Sequence, residues 1–403
     1  MSQRDAHITP SVIKWARETA YLSKRAAAKK IRRPEVDIIA WENGEKLPTF
    51  AQLRNASEVY KRPLSVLYLP EPPKDFQTLR DFRYIEGQSP DLYTPELAYI
   101  IRETQERQAI ISEVLKEIGD EPLGFIGRAS LEMNIEELSV NIRKALGIED
   151  DLQEFDSRAS ALRWWIDKAE ELGVYVFQAG NMKGKKVYPE EARGFAISDE
   201  YAPFIFMNAQ DSKAARIFTL IHELTHLWLN ESGISNMGFR NYEMRAFDQI
   251  EIYCNKTAAE VLVPRKLVLK MISGMKLYSN LEGSIRMLSD KFKISVFVVT
   301  RRLFDLGKIN LNNYRQLTDF FYEEWKKYKK EKKKEKKVDK ISGPSPHLMK
   351  VLNNGRAYTR KVLSLYQAGE FSLNQAISLL NAKANYLDKI ASYAQFPLKG
   401  SLT

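Results

Sequence analysis

The chain has 403 residues, room for two to three domains, and its 44% hydrophobic and 28% charged content excludes collagen-like and wholly disordered chains. Its longest uncharged stretch, Phe371 to Ala382, is twelve residues, against the roughly 20 that a membrane-spanning helix needs, so no membrane protein is expected. The net charge of +10 is uneven: residues 1–70 carry +6, 326–340 carry +7 and 341–403 carry +5, while 71–325 carry −8, a pattern unlike that of a uniformly basic nucleic-acid binder.

Met1 to Pro10 is polar and lacks the apolar core of a secretion signal. Residues 11–69 predict a run of short helices. Val12, Ile13 and Ala16 start the first, and Ser23 caps the alanine-rich second, Lys24 to Lys30. Pro34 opens a third in its first turn, which Gly44 stops. Thr49 caps a fourth, with Leu53, Ala56, Val59 and Tyr60 at helical spacing. The prolines between Pro70 and Pro73 read as a linker.

A long helix is predicted over 94–118, burying Ile100, Ile101, Ile110, Ile111, Leu115 and Ile118. Others follow over Glu136–Leu146 and Ser157–Leu172. Val174–Phe177 and Phe204–Met207 read as strands, rich in β-branched and aromatic residues. Asp211 is expected to cap a helix to Asn230, and a further helix spans Tyr242 to Leu262, limited by Pro264. Two short helices surround Lys293-Ile-Ser295. From Leu317 a helix runs into the lysine tract 326–340, read as a charged, solvated spacer with Glu331, Glu335 and Asp339 every four residues. Ser342-Gly-Pro-Ser-Pro346 breaks it, and residues 347–395 form a small helical tail.

Chemistry concentrates in one place. Of four histidines, His222 and His226 fall in His222-Glu-Leu-Thr-His226, on one face of a helix. Two imidazoles so spaced take adjacent corners of a Zn²⁺ tetrahedron, and Glu223 reaches the water-filled corner. Ile217, Ile221, Leu224 and Trp228 give the same helix a buried stripe. His7 and His347 read as surface residues. A third protein ligand is needed, and the next helix offers Glu251 and Glu260 on opposite faces, about 900° apart in rotation. Glu251 shares its face with Cys254, Asn255 and Ala258 and is favoured, while Glu260 reads as a surface pair with Lys256. Cys254, the single cysteine, reads as a small buried residue rather than a ligand; it excludes a disulfide framework and points to the cytosol.

The stretch Arg216 to Leu229, followed by Glu251 to Pro264, resembles the ImmA/IrrE family of metallopeptidases over roughly residues 157–266. The family pattern sets an H-E-x-x-H helix after a strand ending in Asn, here Asn208, followed by an E-x-x-A-N-x-F-A-x-x-L-x-x-P helix. The resemblance implies His222, His226 and Glu251 as zinc ligands, Glu223 as general base and one Zn²⁺ per chain. Departures are Thr225 for a common glycine, Cys254 for alanine, Thr257 for phenylalanine and Val263 for methionine; none removes a ligand. Residues 11–72, with Trp41-Glu42, Gly44 and Pro48, resemble the XRE-type helix-turn-helix often fused in front of this peptidase. Asn354-Gly-Arg-Ala357 and Ser372 to Leu387 resemble the tail of longer members. In such relatives the peptidase cuts a helix-turn-helix repressor and switches on stress, mobile-element or phage-defence genes.

The expected fold is α+β and predominantly helical: a zincin-like core with a small sheet, flanked by an N-terminal helix-turn-helix bundle and a C-terminal helical tail. The expected divisions are 1–70 (helix-turn-helix), 71–130 (helical linker), 131–270 (peptidase), 271–325 (helical, helix-turn-helix-like), 326–346 (lysine-rich) and 347–403 (tail). Tyr242, Tyr253 and Arg216 are the candidates for an oxyanion donor, and Phe204–Met207 is the candidate edge strand for an extended substrate. Lys24, Arg25, Lys29, Lys30, Arg32 and Arg33 form a basic cluster suited to DNA phosphates, but the third helix opens with Glu35 and Asp37, which repel them. DNA binding and protein binding by this module both stay open. The functional expectation is a cytoplasmic zinc endopeptidase acting on a repressor or antitoxin-like protein. The alternative is a DNA- or protein-binding regulator whose zinc site is structural or inactive.

Overall fold

Local signals start most helices where they are predicted. The computed structural model describes residues 5–73, 80–81, 94–148, 153–182, 185–235, 249–273, 280–335 and 345–398, in two compact units. The first unit comprises residues 1–80, 84–106 and 181–187. It holds α1 (Pro10–Glu18), α2 (Lys24–Ile31), α3 (Glu35–Asn43) and α4 (Phe50–Tyr60). Ser23 accepts from the Ala26 amide, and Thr49 with Gln52 forms a reciprocal capping box. Pro34 sits one residue earlier than expected, at the N-cap of α3. The helices close over Ile13, Ala16, Ile31, Ile38, Trp41, Leu53 and Tyr60. Inside, Arg17 donates to both oxygens of Glu42, at 2.5 and 2.9 Å.

The helix α5 (Pro95–Glu117) contributes residues up to Glu106 to the first unit. Ile118, expected to be buried, lies past its end and is exposed.

The second unit, residues 81–83, 107–180 and 188–403, carries the sheet. Its strands β1 (Tyr175–Ala179), β2 (Gly194–Ile197), β3 (Phe204–Asn208) and β4 (Gly233–Ser235) run in the order β4-β2-β3-β1. β1 lies parallel to β3, with Tyr175 opposite Phe204, while β2 runs antiparallel to both β3 and β4. All five residues of β3 are buried, as a strand covered on both faces requires. This overturns the expectation of a free edge at Phe204–Met207: β3 is hydrogen-bonded on both sides and offers no edge to a substrate.

Strand alternation sorts the two faces. Val176, Ala196, Ile205 and Met207 join the core formed with α6 (Ile135–Ala145), α7 (Arg158–Glu171) and α8 (Lys213–Trp228). The cap of α8 is Ser212, one residue after the expected Asp211, which instead pairs with Arg193 at 2.9 Å. Next come α9 (Gln249–Leu262), α10 (Arg265–Ser273), α11 (Leu281–Phe292), α12 (Val296–Asp305) and α13 (Leu311–Glu335). The predicted start of α9, Tyr242 to Asp248, lies outside the described residues.

The tail is α14 (Pro346–Asn354), α15 (Arg356–Ala368), α16 (Leu373–Leu379) and α17 (Leu387–Ala394). Tyr358 of α15 meets the rings of Tyr175, Phe177 and Phe204 on the second face of the sheet. Gly355 has φ +79°, and a Cβ there would collide with the Val176 carbonyl oxygen. Asn354 donates to the Leu380 carbonyl and accepts from Arg107. The Asn354-Gly-Arg-Ala357 segment therefore seats the tail on β1. His347, expected at the surface, is half-buried against Tyr386. The α+β, predominantly helical class is as expected.

Candidate metal centre

The helix α8 is apolar on nearly every side: Ile217, Leu220, Ile221, Leu224 and Leu227 are fully buried. Polar side chains on such a helix have no water to turn to and must meet one another. His222 and His226 lie one turn apart, 2% and 1% exposed, and their Nε2 atoms are 3.1 Å from each other. Glu251, from the first turn of α9, closes the triangle. Its Oε2 is 3.3 Å from His222 Nε2 and its Oε1 is 2.9 Å from His226 Nε2. Two ligands bound at 2.0–2.1 Å on a tetrahedral zinc stand about 3.3 Å apart, close to the 3.1 Å between the two imidazole nitrogens, and a Glu251 oxygen lies within 4.8 Å of both. The donor set, two imidazoles and one carboxylate, is also that of a zinc site with an open fourth position.

The electrostatics are those of bases crowded together. Burial alone raises the Glu251 carboxyl, but the His222 charge and hydrogen bonds to both imidazoles outweigh it and hold it down at about 2. Burial depresses His222, yet Glu251, Glu223 and the Asn255 side chain more than compensate, and its pKa is raised. Burial wins at His226, whose pKa is lowered. Asn255 stands one turn after Glu251, so the two share a face of α9. Its position beside His222 is the kind of outer contact that orients a ligand.

Glu223 is fully buried next to His222. The strand β2 comes so close to it that a Cβ on Gly194 would stand 2.8 Å from Glu223 Oε1, 2.5 Å from Thr219 Cγ2 and 2.9 Å from the Phe206 carbonyl oxygen. Gly194 is thus the residue that admits the Glu223 carboxylate against the sheet. Sequence reasoning passed over it, although a glycine inside a strand run is a known sign of close approach. Thr225, standing where glycine is common, is buried, with its hydroxyl donated to the Ile221 carbonyl at 2.8 Å.

Glu260 was expected in a surface pair with Lys256, but it is 8% exposed and bonded to Arg302 of α12 and the Arg265 amide. Arg302 and Arg143 also donate to the Val263 and Val261 carbonyls, which ties the end of α9 to its neighbours. Tyr253 is rotated about 200° from Glu251 and donates its hydroxyl to the Met133 carbonyl, away from the cluster. Arg216 donates to Gln178 of β1 at 2.9 Å. The third oxyanion candidate, Tyr242, lies outside the described residues.

In the first unit Arg25, Lys29, Lys30 and Arg32 are exposed, and Lys24 and Arg33 are half-buried. Arg33 and Lys46 both bond Asp37, at 2.6 and 2.9 Å, and Lys30 lies 3.9 Å from Glu96. Asp37 is therefore neutralised at the head of α3, and the acid left exposed there is Glu35.

No curated protein matches the chain. Residues 169–304, about a third of its length, match the Peptidase M78 family, described as the IrrE N-terminal-like domain. The matched stretch contains the whole His222–Glu223–His226–Glu251 cluster, together with Gly194 and Asn255. That family is one of zinc metallopeptidases, so this third of the chain is similar to a metallopeptidase domain of the ImmA/IrrE type.

Proposed function

We propose that the protein is a zinc-dependent endopeptidase that cleaves a helix-turn-helix repressor or antitoxin-like partner and so switches gene expression. The observation that carries this reading is the convergence of His222, His226 and Glu251 in a buried triangle with Glu223 alongside. The three ligands would hold the metal, which when bound supplies Lewis acidity and makes water a nucleophile near neutral pH. Glu223 takes the proton from the attacking water and delivers it to the leaving amine. Gly194 gives its carboxylate room to stay in place, and the apolar body of α8 keeps bulk water out. A structural metal site has no need of a base beside its ligands, so Glu223 favours catalysis over an inert zinc.

The first unit supports the choice of partner. Its α2–turn–α3 pair, with the resemblance to XRE-type modules, fits a protein that works beside transcription regulators. Its exposed cations suit DNA, and the exposed Val36 at the head of α3 suits either a base methyl or a protein. Among the described residues no helix is long and apolar enough to cross a membrane. We place the reaction in the cytoplasm.

The test is co-expression of wild type or Glu223→Gln with helix-turn-helix regulators drawn from the neighbouring genes, under stress conditions. A shorter fragment of the regulator with wild type only is expected, with zinc retained by both. Loss of proton transfer is worth typically about 10²–10⁴-fold. A regulatory output that survives in Glu223→Gln, with no fragment in either case, leaves a zinc-stabilised regulator instead.

A further inference from the structure

The sequence presents the lysine tract as a spacer, but the structure places aromatic rings among its first lysines. The first turns of α13 are anchored: Tyr314, Thr318 and Phe321 are buried, and Arg286 lies over the Phe321 ring and bonds both oxygens of Glu324. From Lys327 the helix is exposed, with Lys326 paired to Glu323 at 2.8 Å and Lys329 to Glu190 at 3.5 Å. Tyr328 is 54% exposed and Trp325 half-buried, while Lys327, Lys329 and Lys330 are exposed. Tyr322 and Trp325 stack with centroids 5.7 Å apart. The Lys326 ammonium stands 4.6 Å from the Tyr322 ring and that of Lys329 4.7 Å from the Trp325 ring.

We propose that the outer half of α13 is a docking surface for single-stranded nucleic acid. Charge density is the first argument. Lys326 to Glu335 contains seven lysines and two glutamates. At about 1.5 Å per residue that is one net positive charge per roughly 3 Å of helix, dense enough to attract a phosphate backbone. Ring placement is the second. Tyr322, Trp325 and Tyr328 recur every three residues along the helix, and a single strand offers both phosphates for the ammoniums and unstacked bases for the rings.

Competing partners match only half of the surface. A duplex and an acidic protein satisfy the lysines and leave the rings unused. A membrane-surface helix needs a broad apolar face, and after Phe321 this helix has no aliphatic side chain. The inference is independent of the peptidase reading, because none of these residues belongs to the metal centre.

The test uses the full-length protein and a fluorescent 20-nucleotide oligothymidylate, with anisotropy read between 50 and 200 mM salt. Wild type should bind it at least about tenfold more tightly than a 20-base-pair duplex. Tyr328→Ala, at an exposed position that leaves the fold intact, and Trp325→Ala should each weaken binding by about tenfold. Lys326→Gln/Lys329→Gln/Lys330→Gln should lower the slope of log affinity on log salt by about 2. Circular dichroism should be unchanged in all three. The proposal is overturned by no binding at 50 mM salt, or by binding that survives both kinds of variant. Loss of binding only on changing Lys29 and Lys30 would move the contact to the first unit. Equal binding of duplex, polyglutamate or phosphatidylglycerol vesicles with both aromatic variants silent would assign the surface to another partner and overturn the proposal as well.

Discussion

Two buried polar clusters, one in each unit, show how burial separates structure from chemistry. In the first unit Arg17 and Glu42 neutralise each other, and the Arg17 guanidinium donates to both carboxylate oxygens. Its donors and acceptors are matched, so nothing is left for a ligand to do. In the second unit two imidazoles and a carboxylate bring ligand atoms within 4.8 Å of one another, with Glu223 buried beside them. A buried ion pair is poor evidence of function, whereas a buried convergence of bases is an invitation to a cation.

The comparison breaks most visibly at the metal. His222→Ala and His226→Ala should each lose most of the zinc, about one equivalent in wild type, by elemental analysis. Glu251→Gln should weaken zinc binding, while Glu260→Gln should leave it intact because its carboxylate faces Arg302. Full zinc in both histidine variants would refute the assignment.

Stability sharpens the other side. Glu42→Ala strands the Arg17 guanidinium in the core and should cost about 3–5 kcal/mol in denaturant unfolding. Zinc content should not change. A cost below about 1 kcal/mol would mean that water reaches Arg17 when its partner is gone.

Gly194→Ala probes the boundary between packing and chemistry. The added methyl meets the β3 backbone and the Glu223 carboxylate, so strain of about 1–3 kcal/mol and a displaced base are expected. Zinc should stay bound while cleavage of the regulator falls by more than stability alone explains. Unchanged cleavage would show that Glu223 has room elsewhere.

The smallest effect is in the pH dependence of the tail. Burial raises the Glu170 carboxyl to about 7, against the pull of the Ala357 and Arg356 amides and the Arg360 charge. The folded state thus holds this proton more tightly than the unfolded chain. The stabilisation is complete below about 4.5 and is lost as pH rises to about 7. Thermal unfolding of Glu170→Gln should lack that decline, and a parallel curve for both proteins would remove Glu170 as its source.

Sequence alone determined whatever depends on near neighbours along the chain. Ser23, Thr49 and Gly44 act within one helical turn, and the four-residue spacing of His222 and His226 puts both on one face whatever surrounds them. The 180° separation of Glu251 and Glu260 is likewise a property of one helix, and the small and neutral neighbours on one of those faces, Cys254, Asn255 and Ala258, pointed to the carboxylate that lies at the histidines. Tertiary structure decided the rest, because it depends on partners far away in sequence. The true partner of Glu260 is 42 residues on, so a local pairing with Lys256 looked sufficient. Strand composition marked Phe204–Met207 as β, but its interior place follows from pairing with β1 and β2 on either side. The room that Gly194 leaves for Glu223 exists only because β2 passes beside α8, a distance that no spacing along the chain encodes.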